Sequence, residues 1–90
     1  MKEMHCIVHG KVQGVWYRAW AAETAREMGL AGWVRNRTDG CVEITAQGST
    51  VQLEEYRACL YDGPPLARVS DVTTDFTDPD EIFEGFKARY

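Results

Sequence analysis

Long apolar runs are missing from this chain: charged residues interrupt every hydrophobic stretch of its 90 residues well before bilayer-spanning length. The opening MKEMHCIVHG also lacks the apolar core and small-residue cleavage site of a signal peptide. A cytoplasmic address and no membrane partner are therefore expected. Cysteine is scarce and odd in number. Cys6, Cys41 and Cys59 have no CxxC spacing, which excludes a complete disulfide framework and argues against a zinc site. Buried free thiols are expected, with a Cys6–Cys41 bond within a sheet as the lesser alternative. Positive charge is also short, since 10 Lys and Arg against 14 Asp and Glu leave a net charge of -4. Nucleic-acid binding relies on clustered cations that displace counterions, so no nucleic-acid partner is expected. There is no Ser-His-Asp logic, no HExxH and no convincing metal cluster. His5 and His9 would share one strand face, yet no third ligand is indicated, and surface or edge packing is the expectation. The chain should fold without a cofactor.

What is present suffices for one packed core. Hydrophobic residues make up 44% of the chain, and its aromatic set is 3 Trp, 4 Tyr and 3 Phe, far from the profile of a disordered segment. Chains of this length support one core, so residues 1–90 read as a single domain.

From Met4 to His9, Cys6 and Val8 alternate with His5, Ile7 and His9, as in a strand with apolar weight on both faces. Tyr17, Trp20, Ala21, Thr24 and Met28 then recur at helical spacing, so a helix begins near Arg18 and Gly29 stops it. Trp20 and Met28 are expected to pack that helix on a sheet. Leu30 to Arg37 and Cys41 to Gln47 read as two strands joined by the turn Thr38-Asp39-Gly40, with Val42, Ile44 and Ala46 facing the core. Ser49 and Gln52 match a capping box, which makes Ser49 an N-cap rather than a nucleophile. Val51, Leu53, Tyr56, Leu60 and Tyr61 supply the apolar stripe of a second helix, ended by Gly63, Pro64 and Pro65.

Val69, Val72, Thr74 and Phe76 mark a fourth strand in which the spacing of three suggests a bulge. Asp75, Asp78, Asp80, Glu81 and Glu84 read most simply as a solvated acidic loop. Phe86, Ala88 and Tyr90 alternate as a short terminal strand. The order β-α-β-β-α-β with an added edge strand predicts an α+β, ferredoxin-like split βαβ sandwich: an antiparallel sheet with two helices on one face.

Residues 10–18, GKVQGVWYR, place a glycine-bounded turn directly after a strand and end on an arginine. Glycine lets backbone N–H groups turn inward into an anion-binding concavity, and arginine adds a planar fork of charged donors. On its own the segment is equally a strand-to-helix connection with Arg18 solvated. A second segment tips the balance. Gly32 to Gly48, GWVRNRTDGCVEITAQG, sets Asn36 near the end of a strand before a glycine turn.

Together the two segments closely resemble the signatures of the acylphosphatase family, and the element order resembles that family over essentially the whole chain. The resemblance implies a small single-domain enzyme hydrolysing acyl phosphates, and a monomer is expected. It implies that Gln13, Gly14, Val15, Trp16, Tyr17 and Arg18 bind the phosphoryl group, through backbone N–H groups and the Arg18 guanidinium. It implies that Asn36 positions the attacking water. The leaving group of an acyl phosphate is a weakly basic carboxylate, so neither a metal nor a covalent intermediate is required.

Two positions depart from the family's common pattern. Ala21 stands where a threonine is frequent, and Trp16 is bulkier than the usual occupant. Arg35 and Arg37 flank Asn36, and alternation turns them to the other side of the strand, where they are expected to be solvated. Two rivals remain: a noncatalytic anion-binding module, and an RNA-binding sheet, which the acidic balance disfavours.

Overall fold

The computed structural model describes all residues from Met1 to Tyr90. Seven elements follow one another: β1 (Lys2–Lys11), α1 (Tyr17–Glu27), β2 (Ala31–Asn36), β3 (Val42–Gly48), α2 (Thr50–Asp62), β4 (Arg68–Thr77) and β5 (Phe86–Arg89). The sheet order is β4-β1-β3-β2-β5. The first four strands pair antiparallel, as expected, while the C-terminal strand joins β2 in parallel and makes the sheet mixed.

Alternation decides which face is covered. Met4, Cys6 and Val8 of β1 and Val42, Ile44 and Ala46 of β3 are fully buried in one cluster with Tyr17, Ala21 and Ala25 of α1 and Leu53, Tyr56 and Leu60 of α2. The alanines of α1 let that helix sit close to the strands, and Trp20 and Met28 flank the cluster half-buried. β1 extends beyond the expected Met4–His9 because it is paired on both sides, and the ladder continues past its apolar residues.

The bulge lies where the spacing of three suggested it. His9 faces Asp71 but Gly10 faces Val69, leaving Ser70 without an opposite partner. Gly10 has φ 123°, and a Cβ there would collide with the Arg68 carbonyl. Gly29, at φ 72°, ends α1 as anticipated.

Ser49 caps α2: its hydroxyl accepts from the Gln52 N–H at 3.2 Å, and the Gln52 side chain accepts from the Ser49 N–H at 3.2 Å. Ser49→Ala is expected to cost about 1 kcal/mol of stability, read as a lower urea midpoint with unchanged slope. The apolar stripe of α2 is narrower than expected. Val51 is 69% and Tyr61 42% exposed. Leu53, Tyr56 and Leu60 share one face, whereas position 51 lies two residues, some 200°, from position 53.

Only Cys6 of the three thiols is buried; Cys41 and Cys59 are half-buried. Cys6 points under the helices, while Cys41 Sγ lies 3.3 Å from His9 Nδ1 on the uncovered face, so opposite strand faces keep the two sulfurs apart. The acidic segment after β4 is not simply solvated. Buried Gln47 donates to the Glu81 carbonyl at 2.6 Å and accepts from the Phe83 N–H at 2.9 Å, tying the segment to the uncovered side of the sheet.

Candidate active site

Residues 12–16 carry the chain from β1 into α1. Val12 and Val15 are buried and pin this loop to the core, so Val15 faces any ligand with its backbone alone. Gly14 takes φ 75°, a left-handed conformation that suits glycine. Trp16 is the one non-glycine residue with positive φ, at φ 67° and ψ 15°. Left-handed backbone under a bulky side chain costs on the order of 1–2 kcal/mol.

Trp16 is also the N-cap of α1, and it contributes no side-chain cap. No carbonyl or side chain of the protein accepts from the N–H groups of Gly14 to Ala19, and no acidic residue occupies the first turn. The loop therefore presents consecutive free donors at the positive end of a helix, which is the arrangement that receives an oxyanion.

Those donors border a cavity of about 350 Å³ that Arg18 and Asn36 also line. Asn36 ends β2 opposite Val42, exposed, with its side chain toward the loop. Arg18 reaches the C-terminal segment beside the cavity. Its Nη1 donates to the Arg89 carbonyl at 3.4 Å, and its guanidinium carbon sits 3.8 Å from the centre of the Tyr90 ring. Tyr17 forms a wall of the cavity and is fully buried, donating its hydroxyl to the Leu60 carbonyl at 2.6 Å. Burial pushes its phenol far above the ordinary range, so it stays protonated and anchors the first turn of α1 to α2.

Of the motif residues from Gln13 to Arg18, Gln13 and buried Val15 do not line the cavity, and Gln13 is turned to the neighbouring hairpin instead. Its Nε2 donates to the carbonyls of Arg37 and Cys41, each at 2.8 Å, lashing the loop to the β2–β3 hairpin that carries Asn36. Gln13→Ala is expected to lower stability by about 1–2 kcal/mol in urea titration and to reduce turnover along with it. Val12, Ala19 and Tyr90 line the cavity outside the residues expected from the sequence; alternation put Tyr90 on a strand, and nothing local indicated that this strand ends beside Arg18. Ala21 is buried, and its carbonyl accepts from Tyr56 Oη at 2.8 Å.

Arg35 and Arg37 turn away from the cavity, as alternation required, yet they are paired rather than merely solvated. Arg35 donates to Glu43 at 2.7 Å, Arg37 pairs with Asp39 at 3.1 Å, and His5 meets Glu43 at 2.7 Å. Burial alone would raise the Glu43 carboxyl, but the bonds from His5 and Arg35 outweigh it and hold that group below its ordinary value of 4.5. A depressed folded-state value contributes stability above pH 4.5 that is lost as pH falls through the folded value. Glu43→Gln is thus expected to lower the melting temperature at pH 7, with the difference closing in acid; a difference independent of pH would contradict the ion pairing.

Comparison with known proteins gives the family. The acylphosphatase family profile matches residues 4–88. An acylphosphatase of Methylococcus capsulatus is 49% identical over 85 residues, covering 87% of this chain and 92% of that protein. One from Rhodospirillum rubrum is also 49% identical, with 90% of each chain covered. The crystal structure of acylphosphatase from Bacillus subtilis superimposes with a TM-score of 0.97 at 36% identity, covering 100% of both chains. With a family match over nearly its whole length and the same fold in full, this chain belongs to the acylphosphatase family.

Proposed function

We propose that the chain hydrolyses the carboxyl–phosphate bond of small acyl phosphates to a carboxylate and inorganic phosphate. The run of unpaired N–H groups from Gly14 to Ala19, opening on the cavity shared by Arg18 and Asn36, carries this assignment. Phosphoryl transfer spreads negative charge over three equatorial oxygens, and fixed N–H donors with a guanidinium are the equipment that stabilises it. Arg18 binds the phosphoryl group and stabilises its transition state. The Asn36 carboxamide both donates and accepts, so it holds a water in line for attack without setting a negative charge against the phosphate.

Water attacks phosphorus, the bond from phosphorus to the acyl oxygen breaks, and the carboxylate leaves with the bonding pair. A phosphate oxygen of the substrate takes the proton of the water. Because the leaving carboxylate is a weak base, neither a general acid nor a metal is needed.

One chain supplies Arg18, Asn36 and Tyr90, which supports a monomer, and three free cysteines fit the reducing conditions of the cytoplasm. No helix is long and apolar enough to cross a membrane. The test is phosphate release from acetyl and benzoyl phosphate in the presence of a chelator. Turnover is expected. Folded protein that phosphate protects against unfolding but that releases none would instead be a noncatalytic anion-binding module, and turnover abolished by chelation would overturn the metal-free route.

A further inference from the structure

A phosphoryl group accounts for only part of the cavity beside the loop. Its four heavy atoms fill roughly the share of two or three water molecules, whereas the space measures about 350 Å³. The remainder leaves room for the group to which the phosphate is attached. Its lining is mostly apolar, with Val12, Trp16, Tyr17, Ala19 and Tyr90 surrounding Arg18 and Asn36.

Two of these side chains are out of place as packing residues. Trp16 is 79% exposed although its backbone is held in a strained left-handed conformation, and Tyr90 is 96% exposed although its ring lies flat enough on Arg18 for a 3.8 Å approach. Neither buries its aromatic surface in the protein. Each has a ring free to meet a ligand at the rim of the same cavity, one on the loop side of Arg18 and one on the β5 side.

Resting on the hydrolase assignment above, we propose that Trp16 and Tyr90 form an aromatic lip that receives the acyl group, and that carboxyl phosphates with an aromatic acyl group are the preferred substrate class. A flat aromatic acyl group stacks or meets these rings edge-on, a contact that an acetyl group is too small to make. The Tyr90 ring, already pressed against the guanidinium, also keeps one face of Arg18 dry when the acyl group is in place.

The test is the ratio of kcat/KM for benzoyl phosphate to that for acetyl phosphate, measured for the parent chain and for Trp16→Gly, Trp16→Phe, Tyr90→Ala and Tyr90→Phe. Glycine suits the positive φ at position 16, and Tyr90→Ala supplies an independent variant if the loop change impairs folding. The ratio is expected to favour benzoyl phosphate in the parent, to fall about three- to tenfold on either truncation, and to return with phenylalanine. Truncations that slow both substrates in proportion, leaving the ratio unchanged, overturn the aromatic lip while the hydrolase assignment stands. Failure of the folded parent to release phosphate from either substrate overturns the assignment itself, and the lip with it.

Discussion

Arg18→Ala should reduce kcat/KM for acyl phosphates by at least a hundredfold while leaving the protein folded. Removing one preorganised donor from a site that stabilises developing charge costs on the order of 10² to 10³ in turnover, and the guanidinium is the one cation lining the cavity. Both KM and kcat are expected to suffer, because the charge meets the phosphoryl group in the ground state as well as in the transition state. The contacts Arg18 makes within the protein are a 3.4 Å hydrogen bond to the Arg89 carbonyl and the stack on exposed Tyr90. At exposed positions such contacts are worth under about 1 kcal/mol, so the melting temperature should move little. Arg18→Lys should recover only part of the loss, since an ammonium keeps the charge but not the planar fork. Activity within a few-fold of the parent in folded Arg18→Ala would remove Arg18 from the site.

Asn36→Ala should instead lower kcat by about a hundredfold with KM nearly unchanged. Misplacing a reacting group by about 1 Å can cost 10²-fold, and the carboxamide at the end of β2 is positioned to hold water rather than to supply charge. Asn36→Asp should be no better, because it sets a carboxylate against the phosphoryl oxygens. Steady-state kinetics on both variants separates the two roles: a raised KM at full kcat in Asn36→Ala would make Asn36 a binding residue. Since position 36 is exposed and its strand is paired on both sides, stability should be almost unaffected.

Features confined to one element were legible because their causes are local. The alternation of Met4, Cys6 and Val8 announced a covered strand face, Gly29 marked the end of α1, Ser49 with Gln52 marked the start of α2, and the spacing from Val69 to Val72 held the bulge. Val51 and Tyr61 misled because five apolar residues in one helix do not have to share a face. Cys41 misled because cysteine is commonly buried, although the alternation that turns Val42, Ile44 and Ala46 to the core already sets position 41 on the opposite face.

By itself, the sequence determined the fold class, the family, and which loop and which asparagine to examine. Glycine spacing, an arginine at the helix start and helical or strand periodicity are properties of neighbours along the chain. Only the tertiary structure decided which of these groups meet. β3 inserts between β1 and β2, and β5 pairs in parallel on the far side of β2, bringing residues 18, 36 and 90 to one cavity. The same long-range pairing gives Gln13 its hairpin carbonyls, Glu43 its two partners and Arg18 its aromatic cover. Contacts of this kind depend on strand order and register summed over the whole core, and no local pattern of residues encodes them.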